Sequence, residues 1–439
     1  MTTKFEERSL SLTGAVAMGT GVMIGAGIFA LVGQIAELAG PAFPWIFVVA
    51  ALVTGASAYS YVKLSNAYPS AGGIAMFLEK AYGRSAFTAS AGLLMAFSMI
   101  INESLVARTF GTYAAQLFGA SDTGPLVPAL GVALIAVAFV ANLAGNQLVG
   151  GASLVMAVVK VIGIAALAMA GFVAAQGLTV SPPTAGAESS VLGFVAALAL
   201  GVLAFKGFTT ITNSGSEIVE PHRNVGRAIV WSIAICVVVY LLVALAVNAS
   251  LPLSEIVAAR NYALAEAARP TFGDMGRTLT IVLAMVATGS GLLASMFAVS
   301  RMLAMLTDMK LIPHRHFGMP GGVQTHILVY VAWVAVVLTV FFDLARIASL
   351  GAMLYLVMDI SVHWGVIRHL REQIGANGVV VFLAIGLDLV ILGGLVAVKL
   401  QTDVLIVVVA AVLITAIYLA ERKFLSLSAS GPEPEHSMH

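Results

Sequence analysis

The sequence predicts an all-α membrane protein with about twelve transmembrane helices, and three observations lead to this fold class. Of 439 residues, 60% are apolar and only 10% are charged, and the mean hydropathy is +1.01. An ordinary soluble protein is about 25% charged. The apolar stretches are continuous, and about 20 such residues cross a bilayer as a helix. The composition therefore excludes a soluble enzyme, a disordered chain and a transmembrane β-barrel, whose strands alternate in polarity.

The apolar stretches occur in order along the whole chain and are joined by short connections. The third and eighth are too long for a perpendicular crossing, so we expect them to tilt or to project beyond the membrane. The predicted spans are residues 12–34, 41–63, 85–118, 124–143, 147–174, 189–216, 225–247, 275–306, 324–342, 344–369, 378–398 and 402–421.

The distribution of Lys and Arg predicts the orientation of these spans. Fourteen of these residues fall in segments on the side of the N-terminus and five on the opposite side. Positive residues accumulate on the cytoplasmic side, so we expect a multi-pass protein of the cell membrane with both termini in the cytoplasm. The 22 basic and 21 acidic residues nearly balance, which leaves no basic stripe for a nucleic-acid partner. Membrane lipid is the expected surrounding.

The first span contains the stretch GTGVMIGAGIF, with glycine at 19, 21, 25 and 27. Each glycine weakens a helix by about 1 kcal/mol relative to alanine and permits other backbone conformations. Two interpretations are open at this point. The glycines could allow close packing between helices, or they could mark a break in the helix.

The sixth span carries a second interruption, which favours the break. It consists of residues 204–208, Ala-Phe-Lys-Gly-Phe, followed by a polar run from Thr209 to Ser216. Two interrupted spans, five apart, predict an inverted repeat with a binding site at the membrane midplane. Free amides near residues 25–27 would favour a carboxylate, and free carbonyls near Ala204 and Phe205 would favour an ammonium group. A zwitterion fits both.

Four motifs then resemble the amino acid-polyamine-organocation (APC) transporter superfamily, and the resemblance covers nearly the whole chain. The motifs are GAGIF at 25–29, YPSAGG at 68–73 with EKAYG at 79–83, EIVEPHRNVGRAI at 217–229, and the loop from Arg301 to Pro313. The resemblance implies the sodium-coupled leucine transporter-like fold, with two inverted five-helix repeats and two extra helices. The implied division is an N-terminus at 1–11, repeats at 12–174 and 189–369, two helices at 378–421 and a tail at 422–439.

The same resemblance implies a substrate site. The substrate's α-carboxylate would meet the backbone amides of Gly25, Ala26 and Gly27, and its amino group would meet the carbonyls of Ile24, Ala204 and Phe205. Phe205 stands where the family often has an aromatic gate, and it is followed two residues later by Gly207, the glycine of the sixth helix.

Lys160 lies in the middle of the fifth span, in LVMAVVKVIGI. A lysine removed from water can gain and lose a proton near neutrality. The resemblance adds that a lysine here, in the proton-coupled branch, replaces the sodium ion of sodium-coupled relatives. We therefore expect proton coupling through Lys160, against the alternative of a permanently charged structural ammonium.

Two further ionisable residues, Lys206 and Glu103, depart from the family pattern. Each charge inside a bilayer costs roughly 2.5–3.5 kcal/mol on insertion scales. Lys206 could bind an acidic group of the substrate, or it could pair with Glu103, which lies in the third span. Snorkelling of Lys206 away from the site is the third possibility. A lysine facing the site would disfavour a cationic or strictly apolar substrate side chain.

Asp359 and His363 lie four residues apart on one face of the tenth span and could form a hydrogen-bonded pair or relay protons. Asp388, in the eleventh span, lies outside the predicted ten-helix core, so we expect it to assist packing or oligomerisation. The sequence offers no adjacent nucleophile and base, and we recognised no pair of metal-binding aspartates. We therefore expect no enzyme, no cofactor and no metal.

The function that these observations predict is secondary active transport of amino acids or related small zwitterions. Alternating access at a midplane site between unwound first and sixth helices, coupled to protons, is the leading hypothesis. The alternative is a proton-independent exchanger of amino acids or carboxylates.

Overall fold

A computed structural model gives the fold and describes residues 9–70, 72–144, 146–174, 190–312 and 322–429. The chain is all-helical apart from one isolated bridge between Leu10 and Ile218 in the described residues. The predicted termini at 1–8 and 430–439 lie outside the described residues. The helices are α1 Leu12–Ala39, α2 Phe43–Ala67, α3 Ile74–Tyr82, α4 Ala86–Leu117, α5 Leu126–Ala144, α6 Asn146–Ala174, α7 Val191–Phe205, α8 Thr209–Thr212, α9 Pro221–Ser250, α10 Leu253–Ala258, α11 Ala263–Asp308, α12 Val323–Phe341, α13 Leu344–Gly365, α14 Gly378–Thr402 and α15 Val404–Ala429.

The long helices reproduce the predicted order of spans. Within the described ranges, ten stretches are long and apolar enough to cross a membrane, and shorter apolar stretches at Leu12–Gly25 and Val158–Gly171 belong to α1 and α6. The predicted third span at 85–118 is the 32-residue α4. The all-helical membrane fold is therefore confirmed.

Several helices begin where a polar side chain caps the first free amides. Ser11, Ser85 and Ser190 accept hydrogen bonds from backbone amides in the first turns of α1, α4 and α7. Asp343 and Asn377 do the same at the starts of α13 and α14. A cap satisfies amides that have no carbonyl partner within the helix, which fixes where the helix starts.

α11 is 46 residues long because it joins two helical pieces across a kink. Gly273 at the kink has φ 61°, ψ −155°, a conformation that a residue with a side chain rarely adopts. The second piece then corresponds to the predicted eighth span at 275–306. The excess length of this helix is therefore a short segment before the crossing, bent away by Gly273.

α1 lies at the centre of the bundle. It packs against α4, α6, α7, α9 and α11, and α7 packs in turn against α2, α13 and α14. The first and sixth predicted spans are thus side by side, and α15 lies against α4, α13 and α14. This placement puts the glycine-rich stretch of α1 directly beside the interruption of the sixth span.

The predicted break in the first span is wrong: α1 is helical from Leu12 through Ala39. Glycine permits a break but does not require one, and a continuous helix satisfies the backbone amides within the membrane. The glycines instead allow close packing, which was the other interpretation of the motif. A methyl group added at Gly27 would lie 2.7 Å from the Ala204 carbonyl oxygen, and one added at Gly207 would lie 2.7 Å from Met23.

The sixth span is interrupted where the sequence predicted, but the backbone is tightened there rather than unwound. α7 ends at Phe205, residues 206–208 form a 3₁₀ turn, and α8 continues to Thr212. The amide of Lys206 bonds to the carbonyl of Leu203, three residues back. Lys206 has φ −53° and ψ −24°, close to ordinary helical values. The prediction of a fully unwound sixth helix is therefore wrong.

Candidate functional site

A small buried cavity lies between α1, α4, α11 and the sixth span. Its volume is about 20 Å³, enough for about one water molecule. An amino acid does not fit unless the surrounding helices move apart. Polar lining residues come from three elements and include Asn102, Lys206, Thr209, Thr210 and Ser295.

Four of the sequence-predicted site residues line this cavity: Gly27, Ala204, Lys206 and Gly207. Others face elsewhere. Ile24 is in the hydrophobic core, and Gly25 lies against the backbone of α11, with Ala287 and Gly291 as its neighbours. Ala26 belongs to α1.

Phe205 packs away from the lining of the cavity. Its ring lies 5.1 Å, centroid to centroid, from the ring of Tyr240 in α9. The hydroxyl of Tyr240 donates to the carbonyl of Met23 at 2.6 Å and lies 3.2 Å from that of Ala204. One tyrosine thus holds carbonyls of both α1 and α7. It already contacts one of the carbonyls that the sequence assigned to a substrate ammonium.

Lys206 is buried and its Nζ points across the cavity region toward α4 and α13. It donates a hydrogen bond to the hydroxyl of Ser98 and lies 5.2 Å from the centre of the Tyr355 ring. An ammonium over an aromatic face is attracted by the electrons of the ring. Snorkelling toward the membrane surface is therefore not what Lys206 does.

Glu103 is buried close to the same region, and one of its oxygens accepts a hydrogen bond from Ser295 at 3.4 Å. Its other oxygen has no hydrogen-bond partner among the described residues. The ion pairs between described residues, taken to 4.0 Å, do not include one between Glu103 and Lys206. The pairing hypothesis is therefore wrong in this conformation.

Sequence reasoning missed several polar residues at the cavity. Ser98 and Asn102 lie four apart in α4 and hence on one face, a signal that was available in the sequence. Thr209 and Thr210 belong to the polar run that the sequence identified as an interruption without assigning contacts. Ser295 had no such signal, since an isolated serine is common in a membrane helix.

Lys160 of α6 reaches the central helix, as its predicted role requires. Its Nζ donates to the carbonyl of Gly21 at 3.0 Å, and only 2% of the residue is exposed. An ammonium has three donors, and this bond is the one formed with α1. Lys160 thus joins α6 to the glycine-rich part of α1.

Both ends of α1 are tied to other elements by ion pairs. Near its first residue, Glu217 pairs with Arg301 at the end of α11, and the backbone of Leu10 bonds to that of Glu217. Near its last residue, Glu37 pairs with Arg260. These contacts close the regions on either side of the cavity along α1.

A bundle of membrane-crossing helices that encloses a small polar cavity at its centre has the architecture of a membrane transporter. The sequence profile described as amino acid permease matches residues 10–416. The chain therefore belongs to the amino acid permease family of the APC superfamily, as the motifs indicated, and it is a membrane transporter of amino acids.

Individual relatives agree with this assignment. The chain is 29% identical over 375 residues to the inner membrane transport protein YbaT of Escherichia coli (strain K12), covering 84% of this chain and 85% of the relative. It is 25% identical over 279 residues to cationic amino acid transporter 7, chloroplastic, of Arabidopsis thaliana, covering 59% and 47%. It is 26% identical over 262 residues to cationic amino acid transporter 4, vacuolar, of the same plant, covering 56% and 44%.

Proposed function

We propose that the protein is a proton-coupled secondary transporter that moves a small zwitterionic amino acid by alternating access, with Lys160 as the coupling residue. The observation that carries the proposal is the contact between Lys160 and the carbonyl of Gly21. We place the protein in the cell membrane with both termini in the cytoplasm, because the Lys and Arg residues accumulate on that side.

The contact offers a physical route for coupling. A protonated lysine is attracted to the carbonyl of Gly21 by both charge and hydrogen bonding, whereas a neutral amine is held more weakly. Gain or loss of the proton therefore changes how tightly α6 is bound to α1. Because α1 also lines the cavity through Val22, Met23 and Gly27, its position affects both the ion site and the substrate site.

Alternating access follows from the closures at the two ends of α1. The cavity of about 20 Å³ must enlarge before an amino acid can bind. Opening the Glu217–Arg301 side or the Glu37–Arg260 side in turn would admit the substrate from one compartment at a time. The five crossing helices in 12–174 and the five in 189–369 are the proposed inverted repeats, with 378–421 as the additional pair.

Polar side chains are the proposed ligands of the substrate, because α1 keeps its amides within the helix. Lys206 would attract a carboxylate, and the hydroxyls of Thr209 and Thr210 could donate hydrogen bonds to it. A cationic side chain would be repelled by Lys206. We therefore favour neutral or acidic amino acids, although the Arabidopsis relatives are named for cationic ones.

The test is transport into proteoliposomes by Lys160→Ala and the parent. The parent should accumulate its amino acid when a proton gradient is imposed. The variant should lose this accumulation, because alanine cannot carry a proton, while keeping exchange of labelled for unlabelled substrate. The matched control is Lys423→Ala, which removes an exposed lysine from α15 and should leave accumulation unchanged.

Two results would contradict the proposal. Accumulation by Lys160→Ala that still follows the proton gradient would remove the coupling role. Uptake by the parent that requires internal substrate and ignores the gradient would favour the alternative, a proton-independent exchanger of amino acids or carboxylates.

A further inference from the structure

Three ionisable side chains meet in the bundle away from the central cavity. Asp359 and His363 come from α13, on one face as the sequence predicted, and Asp388 comes from α14. All three are fully buried. The sequence placed Asp388 outside the core with a role in packing or oligomerisation, but its burial beside α13 leaves it no surface for oligomerisation. The earlier expectation that no aspartates pair near one another is wrong.

The three groups are close, but they do not hydrogen-bond to one another. His363 Nε2 lies 3.6 Å from Asp359 Oδ1 and 3.6 Å from Asp388 Oδ2. Hydrogen bonds between nitrogen and oxygen are usually about 2.7–3.2 Å long. In the described part of the chain, His363 Nε2 and both oxygens of Asp388 have no hydrogen-bond partner. Such buried atoms are costly unless something binds them.

The spacing suits a metal ion better than a shared proton. Two ligand atoms about 2.1 Å from a tetrahedral ion are about 3.4 Å apart, whereas a proton shared by nitrogen and oxygen would draw them closer. The three possible ligand atoms lie within 4.8 Å of one another. A divalent cation would also neutralise the two carboxylates, which have no Lys or Arg within 4.0 Å among the described residues.

The groups around the cluster already hold its side chains in position. His363 Nδ1 lies 3.0 Å from the hydroxyl of Ser60, so Nε2 can face an ion. Ser57 donates to Asp359 Oδ2 at 2.7 Å, and Tyr61 donates to Oδ1. All three of these residues belong to α2. Metal-binding histidines and carboxylates are commonly oriented by hydrogen bonds of this kind.

We infer that Asp359, His363 and Asp388 bind a divalent transition-metal ion, of the class of Zn²⁺ or Mn²⁺, which links α13 to α14 beside α2. The imidazole nitrogen favours such ions over Na⁺, Mg²⁺ or Ca²⁺, which prefer oxygen ligands. The site is separate from the substrate cavity and from Lys160. Its role is to hold these helices together.

The test measures metal binding by the purified full-length protein without an affinity tag. The protein is stripped with a chelator and titrated with Zn²⁺ and, separately, with Mn²⁺. Bound metal is counted by mass spectrometry, and the thermal unfolding midpoint is recorded, because an ion that binds the folded form stabilises it. The parent should bind about one ion that Asp388→Asn does not bind, and this ion should raise its midpoint.

Ser60→Ala tests the same site without changing a ligand. It removes the partner of His363 Nδ1 and should weaken metal affinity about 10- to 100-fold, so it still gives an answer if Asp388→Asn does not fold. The matched control is Glu421→Gln, a buried carboxylate of α15 outside the cluster, which should bind metal like the parent.

Equal numbers of bound ions and equal affinities in the parent, Asp388→Asn and Ser60→Ala would overturn the inference, since the metal would then sit elsewhere. A parent that binds neither ion, but whose midpoint depends on pH in a way that Asp388→Asn abolishes, would overturn it in favour of a proton site.

Discussion

Lys206 is the residue whose chemistry bears most directly on substrate choice. It lines the cavity, it is buried, and its hydrogen bond goes to Ser98 rather than to a carboxylate. Its charge is therefore available to a ligand that enters the cavity. The sequence left three roles open for this lysine, and the structure leaves contact with the substrate as the proposal.

We expect Lys206→Met, which keeps the length of the side chain but removes its charge, to change substrate preference. Inhibition of uptake by acidic amino acids should weaken about tenfold relative to neutral ones, equivalent to about 1.4 kcal/mol. Inhibition by cationic amino acids should strengthen, because a like charge has been removed. Competition assays in proteoliposomes measure both effects.

Lys63→Met is the matched control, because Lys63 lies over the ring of Tyr59 at the end of α2 and away from the cavity lining. It should give the parent's inhibition profile. If Lys206→Met gives that profile as well, Lys206 does not face the substrate.

At the scale of elements, the glycines of α1 allow it to lie close to the sixth span. Gly27 lies against Ala204 and Tyr240, and Gly19 lies against Ile211 and Ser232. Close approach between helices compensates for the helix-weakening effect of glycine through packing contacts. This is why a stretch so rich in glycine remains helical.

We expect Gly27→Ala to destabilise the protein by about 1–3 kcal/mol, the usual cost of adding atoms to a filled core. The added methyl group would lie 2.7 Å from a backbone oxygen of α7, so the two helices would have to separate. The thermal unfolding midpoint in detergent, measured without substrate, should fall.

The control is Gly55→Ala in α2, where an added methyl group meets nothing within 4 Å. Alanine is the better helix former by up to about 1 kcal/mol, so this variant should be as stable as the parent or more so. A Gly27→Ala protein with an undiminished midpoint would show that α1 and α7 are not tightly packed.

For the whole molecule, the ion pairs at the two ends of α1 determine which side of the cavity can open. Glu217 and Arg301 come from two of the motifs that indicated the family, the loops after the sixth and eighth helices. The side chain of Arg301 is 4% exposed and that of Glu217 is 19% exposed. Breaking a buried pair is costly, because it leaves a charge without its partner.

We expect Glu217→Gln to favour opening toward the side of the N-terminus. A Thr210→Cys reporter in the cavity should then react with a membrane-impermeant maleimide at least about tenfold faster from that side, which corresponds to about 1.4 kcal/mol. The native Cys236 is buried, and the protein without the reporter gives the background rate.

Glu79→Gln is the control for this experiment, because its partner Arg84 is 66% exposed and exposed pairs contribute little. It should not change the reaction rate of the reporter. An unchanged rate with Glu217→Gln would show that this ion pair does not close the cavity.

The sequence could predict part of the candidate site, because position along a helix is a local property. Continuous apolar stretches located the crossings, and the motif at 204–208 located the interruption of the sixth span. Gly27, Ala204, Lys206 and Gly207 were thereby assigned correctly to one region. The orientation of Gly25 and Phe205 could not be predicted, because it depends on which neighbouring helix packs against each face.

The sequence by itself determined the membrane fold, the order of its helices and the family, because these depend on hydrophobicity and on contiguous motifs. Only the tertiary structure decided that α1 stays wound, that Lys206 and Glu103 bond to different serines, and that Asp388 joins Asp359 and His363. Each of these outcomes depends on contacts between residues far apart in the chain. A glycine or a charged residue permits several arrangements, and the neighbouring helices select one of them.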